Sequence, residues 1–99
     1  SPPDPSLARD LDPAAAATLR TFMEAVVDRG TGTAAQVAGI TVAGKTGTAE
    51  FGEGDPPPTH ALFIGFDERF AVAVVVEGGG VGGHVAAPIA ARFFGGMAG

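Results

Sequence analysis

The sequence predicts an α+β domain with an antiparallel sheet of at least three strands, flanked by an N-terminal and a C-terminal helix. Three observations predict this class. Apolar residues recur at helical spacing near the start of the chain, apolar segments of strand length follow with short turns between them, and an alanine-rich segment closes the chain. Helices that precede and follow an antiparallel sheet, instead of alternating with its strands, are typical of α+β domains.

The first helix is expected over 12–29. Asp12 is a favourable N-cap residue, and Pro13 suits the first helical position. Apolar residues then form a stripe that we expect to be buried, made up of Leu19, Phe22, Met23, Val26 and Val27. Gly30 is expected to end the helix. The proline-rich residues 1–11 are expected to form an extended lead-in.

The strands are expected within residues 41–77. Small, β-branched and glycine residues over 41–51 favour a first strand with one thin face. Two apolar segments, 60–66 and 70–77, are separated by a short charged turn and predict an antiparallel hairpin.

The closing helix is expected over 85–95, after a glycine-rich loop over 78–83. Pro88 fits this helix if it falls in the first turn, where its missing N–H is not needed.

Composition excludes several classes of protein. The 99 residues carry a net charge of −5 and only one lysine, so a nucleic-acid partner is not expected. The absence of cysteine excludes disulfides and thiolate metal sites. We expect no metal and no cofactor, because His60 and His84 lack acidic partners at ligand spacing. The acidic residues Glu50, Glu53 and Asp55 also lack the spacing of a calcium loop.

The only lysine, Lys45, lies in the segment 42–50, where two enzyme motifs overlap. Residues 39–46 match the phosphate-binding pattern Gly-x-x-x-x-Gly-Lys-Thr. That loop requires a helix that begins at the Lys-Thr pair, and the glycines and prolines after Thr46 leave no room for one. Residues 62–68 similarly resemble a strand that ends in a magnesium-binding carboxylate. A nucleotide-binding protein is therefore the weaker interpretation.

As a Lys-Thr-Gly motif, the same segment is typical of the substrate-binding strand of a penicillin-recognising serine acyltransferase. Such an enzyme needs a fixed cation, hydroxyl donors for a carboxylate and a backbone N–H for the developing oxyanion. In a strand, Lys45 and Gly47 share one face, whereas Thr46 and Thr48 share the other. Gly47 has no Cβ, so a substrate or a neighbouring helix can approach it closely.

Longer blocks of the chain resemble the transpeptidase domain of penicillin-binding proteins, in particular the C-terminal part of this domain in the class B enzymes of actinobacteria. The blocks are 26–35, 42–50, 60–66, 71–77 and 86–90, in this order. The resemblance implies the fold shared by penicillin-binding proteins and serine β-lactamases, of which residues 1–99 would be the C-terminal segment. It also implies a peptidoglycan D,D-transpeptidase, which transfers an acyl group from D-Ala-D-Ala stem peptides and is acylated by β-lactams.

The same resemblance implies roles for four residues. Lys45 would belong to the hydrogen-bond network beside the nucleophile. Thr46 and Thr48 would bind the carboxylate of the substrate or β-lactam, and the Thr48 N–H would be an oxyanion-hole donor. Gly47 would give clearance. For the full-length protein, the resemblance implies a position on the extracytoplasmic face of the bacterial membrane, with an N-terminal anchor that is absent from this chain.

The chain departs from the family in lacking two motifs. The family also needs Ser-x-x-Lys, which carries the nucleophile, and Ser-x-Asn. The only serines, Ser1 and Ser6, are followed three positions later by Asp4 and Arg9, and the chain contains no asparagine. We therefore expect a piece of a longer protein, inactive alone, whose partner is the upstream segment of the same domain. A non-catalytic sensor of β-lactams or muropeptides with the same fold remains the alternative.

Overall fold

The computed structural model describes residues 12–98 and confirms the predicted α+β class. Its elements are α1 (Pro13–Arg29), a 3-10 turn (Thr33–Ala35), β1 (Ala43–Glu50), β2 (Thr59–Phe66), β3 (Ala71–Val76) and α2 (Gly82–Ala98). The predicted extended lead-in, 1–11, lies outside the described residues. Within the described residues, neither helix combines the length and apolar character that crossing a bilayer requires.

Helix α1 begins as the sequence predicts. The Asp12 carboxylate accepts a hydrogen bond of 3.3 Å from the Ala15 N–H, and Pro13 occupies the first turn. The helix ends at Gly30, whose N–H donates to the Val26 carbonyl at 3.0 Å. Gly30 has a φ of −106°, so the helix ends without the left-handed conformation that often uses glycine.

The predicted burial of the α1 stripe is wrong for its outer residues. Val27 is buried, but Leu19 is 49% exposed and Phe22 is 66% exposed. The reason is geometric, because α1 packs mainly along β1 and the 3-10 turn. In its first half, Arg20 lies over the ring of Phe66 of β2, but Leu19 and Phe22 remain exposed. Those two side chains therefore form an apolar surface of the described chain.

The sheet has the order β1-β2-β3, and both pairs are antiparallel. Residues paired across strands share a face. The face that carries Thr46, Phe63 and Val74 packs against α2, whose alanines allow a close approach to the sheet. The core residues are Val27, Ala35, Val42, Ala61, Phe63, Ala86, Ala87, Ala90 and Phe94. On the opposite face Lys45 and Ile64 are exposed, whereas Ala43, at the end of β1 nearest α1, is buried.

The ring of Phe63 explains one glycine pair in the sheet. Gly44 of β1 is paired with Gly65 of β2. A Cβ at Gly44 would lie 2.2 Å from Phe63 Cζ, and one at Gly65 would lie 2.5 Å from Phe63 Cε2. The buried ring thus covers both glycines, and neither position has space for a side chain.

Helix α2 begins earlier than predicted, at Gly82 instead of residue 85, and Pro88 consequently lies in the second turn. The condition stated for Pro88, a position in the first turn, is therefore not met. The early start follows from tertiary packing, because the first turn of α2 is placed directly on the sheet. A Cβ at Gly82 would lie 2.4 Å from the carbonyl oxygens of both Gly47 and Leu62.

Candidate functional site

The four predicted site residues lie together on β1, which is an edge strand among the described residues. Lys45 and Gly47 are paired with Ile64 and Leu62 on one face. Thr46 and Thr48 are paired with Phe63 and Ala61 on the face that packs against α2. The alternation predicted from the sequence is thus confirmed. The lysine side chain projects from one face of β1, and the two threonine hydroxyls project from the other.

The hydrogen-bond pattern shows which backbone groups of β1 face its free edge. The Phe51 N–H donates to the Pro58 carbonyl at 2.9 Å, and this pair continues the β1–β2 register. Hydrogen-bonded and non-hydrogen-bonded pairs alternate along an antiparallel ladder. Lys45 and Gly47 therefore bond to β2, whereas the N–H and C=O groups of Thr46 and Thr48 point toward the free edge.

The lysine side chain reaches this free edge as well. Lys45 Nζ donates a hydrogen bond of 2.6 Å to the Thr46 carbonyl oxygen. The Lys45 side chain is exposed, so its ammonium group is accessible to a ligand. A cation and the Thr48 N–H thus lie along one strand edge, an arrangement suited to a carboxylate or a developing oxyanion.

Two further residues hold the threonine hydroxyls. Thr31 Oγ1, in the loop after α1, lies 2.6 Å from Thr46 Oγ1. The Gly82 N–H, at the start of α2, donates to Thr48 Oγ1 at 3.3 Å. Thr46 is 9% exposed and Thr48 is exposed. The sequence predicts a turn around Thr31 and a glycine-rich loop over 78–83, but it carries no sign that either contacts the motif.

Packing against the neighbouring residues does not require a glycine at position 47. A Cβ there would lie 3.5 Å from Leu62 Cβ and Cδ1, which is an ordinary contact. Packing among the described residues therefore does not explain this glycine, and its predicted clearance for a substrate or a neighbouring helix remains a prediction.

The nucleotide-binding interpretation is wrong. Lys45 and Thr46 lie inside β1, and no helix begins there. The second supporting feature also has a structural explanation, because Asp67 Oδ1 accepts hydrogen bonds of 2.8 Å from the N–H groups of Arg69 and Phe70. These bonds hold the pKa of Asp67 below its ordinary value and form the turn between β2 and β3.

The two histidines are not brought together with the motif. His60 stacks on Phe51, with 3.9 Å between ring centroids, and its Nδ1 accepts a hydrogen bond of 3.0 Å from the Gly78 N–H. His84 is exposed in the first turn of α2. His60 therefore stabilises the loop at Gly78, and His84 is a surface side chain.

The described site contains hydrogen-bond donors but neither a serine nor a cysteine. Lys45, the threonine hydroxyls and the free N–H groups can bind a carboxylate and polarise a carbonyl. Neither serine of the chain lies within residues 12–98, and the chain has no cysteine. A serine nucleophile for acyl transfer at this edge is therefore not among residues 12–98.

Comparisons with known proteins agree with this geometry. A family model described as the penicillin binding protein transpeptidase domain matches residues 2–95. The peptidoglycan D,D-transpeptidase PbpA of Mycolicibacterium smegmatis is 45% identical over 92 residues, which cover 82% of this chain and 18% of that protein. This chain thus spans only a small part of its relative.

Solved structures are similar in fold and sequence. The transpeptidase domain of the FtsI4 D,D-transpeptidase from Legionella pneumophila superposes with a TM-score of 0.80 at 28% identity, covering 88% of this chain and 37% of that one. Penicillin-binding protein A from M. tuberculosis, described as a ceftriaxone acyl-enzyme complex, gives a TM-score of 0.74 at 34% identity, covering 89% of this chain and 22% of that one.

Proposed function

The chain belongs to the transpeptidase domain family of penicillin-binding proteins, and on this premise we propose that it supplies the substrate-binding strand of a peptidoglycan D,D-transpeptidase. In the proposed reaction, a serine on another segment attacks the penultimate D-alanine carbonyl of a stem peptide. The terminal D-alanine leaves, and the acyl group passes to an amine on a second strand. β-Lactams acylate the same serine.

The main support for this proposal is that the hydrogen-bond donors and the cation that the reaction requires lie along the free edge of β1. The Thr48 N–H points outward from this edge, where it stabilises the oxyanion of the tetrahedral intermediate. The ammonium group of Lys45, now 2.6 Å from the Thr46 carbonyl, provides positive charge beside the nucleophile. The hydroxyls of Thr46 and Thr48 bind the terminal carboxylate, and Gly47 leaves clearance for the approaching segment.

The upstream segment of the same domain is the proposed partner, and β3 supports this. The Asp67 N–H donates to the Phe70 carbonyl at 3.0 Å, so the alternation along β3 directs the N–H and C=O groups of Ala73 and Val75 outward. β3 consists of alanine and valine alone, and Val75 is 60% exposed. An exposed apolar edge of this kind favours pairing with another strand.

Two exposed apolar surfaces outside the strand edge also favour contact with an upstream segment. Ile64, beside β3 on the exposed face, is 54% exposed, and Leu19 and Phe22 of α1 are exposed as well. Burial of these side chains by an upstream segment would stabilise the domain by about 25 cal/mol for each Å² covered. The proposed segment therefore contributes both the nucleophile and the missing part of the core.

The proposed location follows from the substrate. Stem peptides of peptidoglycan lie outside the cytoplasmic membrane, so the full-length protein would act on the extracytoplasmic face. We propose that it is held there by an N-terminal membrane anchor outside this chain, and that it serves cell-wall synthesis and cell shape.

The test uses the whole protein that contains this chain. It is labelled with a fluorescent penicillin, separated on a denaturing gel, and assayed for D-alanine release from a stem peptide with an acceptor amine present. We expect a labelled band that unlabelled penicillin suppresses, together with D-alanine release and a cross-linked product. Labelling without release or transfer would indicate a sensor and contradict the enzyme, and a folded protein without label would contradict both.

A further inference from the structure

The hydroxyl groups of Thr46 and Thr48 each form a hydrogen bond with a polar group outside the β1 motif. At Thr48 the direction of the hydrogen bond is unambiguous, because the Gly82 N–H can only donate. Thr48 Oγ1 accepts this bond at 3.3 Å, and its own proton remains for another acceptor. Thr48 is exposed, so that acceptor can be a ligand.

At Thr46 the direction is open, since Thr31 Oγ1 and Thr46 Oγ1 lie 2.6 Å apart and either can donate. A carboxylate accepts hydrogen bonds and donates none. When a carboxylate lies at the free edge, Thr46 can bind it only by donating its proton outward. Thr31 must then donate to Thr46, and the two bonds in series strengthen each other.

The first turn of α2 connects these two supports. Gly82 lies against the backbone of Gly47, where a Cβ would be 2.4 Å from the Gly47 carbonyl oxygen. A Cβ at the next residue, Gly83, would lie 2.4 Å from the Thr31 carbonyl oxygen. The same turn thus contacts both β1 and the loop that carries Thr31, and it fixes their separation.

We propose that Thr31 is a positioning residue, whose hydroxyl donates to Thr46 Oγ1 and thereby commits the Thr46 proton to the carboxylate of the substrate. In the same way, the Gly82 N–H at the start of α2 donates to Thr48 Oγ1, so the Thr48 hydroxyl donates its own proton to the carboxylate. This inference rests on the proposed function. It assigns the orientation of the carboxylate site to residues outside the Lys-Thr-Gly-Thr strand.

The test compares Thr31→Val and Thr31→Ser in the whole protein. The acylation rate is measured over a range of concentrations for a penicillin and for its methyl ester, which lacks the carboxylate charge. We expect Thr31→Val to lower the second-order rate constant for the penicillin about tenfold, mainly through weaker binding. The rate constant for the ester should stay within about twofold of the wild-type value, and Thr31→Ser should restore acylation by the penicillin.

Thr33→Val is the matched control, since Thr33 is an exposed threonine two residues after Thr31, at the start of the 3-10 turn. An equal loss for penicillin and ester, no loss for either, or a failure of Thr31→Ser to restore the rate would overturn the role of Thr31. A wild-type protein that the penicillin does not acylate would instead overturn the proposed function and this inference with it. Thermal melting of each variant is measured first, so that an equal loss counts against the role of Thr31 only when the variant is folded.

Discussion

The two outer strands of the sheet offer the same backbone groups, but only β1 carries charged and hydroxyl side chains. Along β1, the outward N–H and C=O groups belong to Thr46 and Thr48, whose hydroxyls lie on one face of the strand and the Lys45 side chain on the other. Along β3, the outward groups accompany only alanine and valine. An open strand edge can accept either a ligand or another strand, and the side chains decide between them. We interpret β1 as the ligand-binding edge and β3 as the edge that completes the sheet.

The largest effect is expected at the cation of the β1 edge. Lys45→Ala should lower the rate at which a penicillin acylates the whole protein by about 10²- to 10³-fold, a loss comparable with that of one preorganised oxyanion-hole donor. The side chain is exposed, so the free energy of unfolding should change little. Stopped-flow acylation and thermal melting measure the two quantities. Arg92→Ala, which removes an exposed cation from α2, is the control, and an equal loss there would contradict the assignment.

A second large effect is expected where α2 meets β1. Gly82→Ala should lower the free energy of unfolding by about 3 kcal/mol, because the added Cβ meets two backbone oxygens that cannot move independently. Gly96→Ala in the same helix is the control, since a Cβ there meets nothing within 4 Å. That change should be neutral or slightly stabilising. Denaturant unfolding of the whole protein measures the free energy of unfolding of both variants. Equal stability of the two would contradict the close contact between α2 and β1.

The β3 edge should respond through stability instead of catalysis. Val75→Lys should destabilise the whole protein by about 2 kcal/mol, because a charge would replace an apolar side chain that the proposed upstream segment covers. Met97→Lys, at a residue 42% exposed on α2, should change stability by less than about 0.5 kcal/mol. If Val75→Lys proves as mild as Met97→Lys, Val75 is exposed in the whole protein and β3 is not a pairing edge.

The smallest effect is expected in the turn between β2 and β3. The N–H groups of Arg69 and Phe70 donate to Asp67 and hold the pKa of its carboxylate below the ordinary value. The ionised form therefore stabilises the fold at neutral pH, and this contribution is lost as the pH falls through the lowered pKa. Asp67→Asn should lower Tm slightly at pH 7, and the difference should vanish in strong acid. A difference independent of pH would contradict the role of the charge.

Local signals predicted much of this architecture. The N-cap at Asp12 and the hairpin after β2 depend on neighbouring residues, so their chemistry is visible in the sequence. The alternation of Lys45 and Thr46 across β1 follows from strand geometry alone. The family resemblance supplied the residue roles, which geometry among the described residues supports but does not test.

Contacts between distant segments could not be predicted in this way. The start of α2 at Gly82 depends on a close approach to Gly47, and no local pattern signals that contact. The bond between Thr31 and Thr46 joins a loop to a strand for the same reason. The exposure of Phe22 likewise shows that helical periodicity identifies an apolar face but does not identify the element that covers it.

Amide hydrogen exchange of the whole protein, with and without acylation by a penicillin, tests the contrast between the two edges most directly. Peptides covering β1 and β3 are followed by mass spectrometry. We expect exchange in the β3 peptide to be slow in both states, because its outward N–H groups are already paired. Exchange in the β1 peptide should slow on acylation, because the Thr48 N–H then donates to the acyl oxygen. Unchanged exchange in β1 after complete acylation, or fast exchange in β3, would contradict the account.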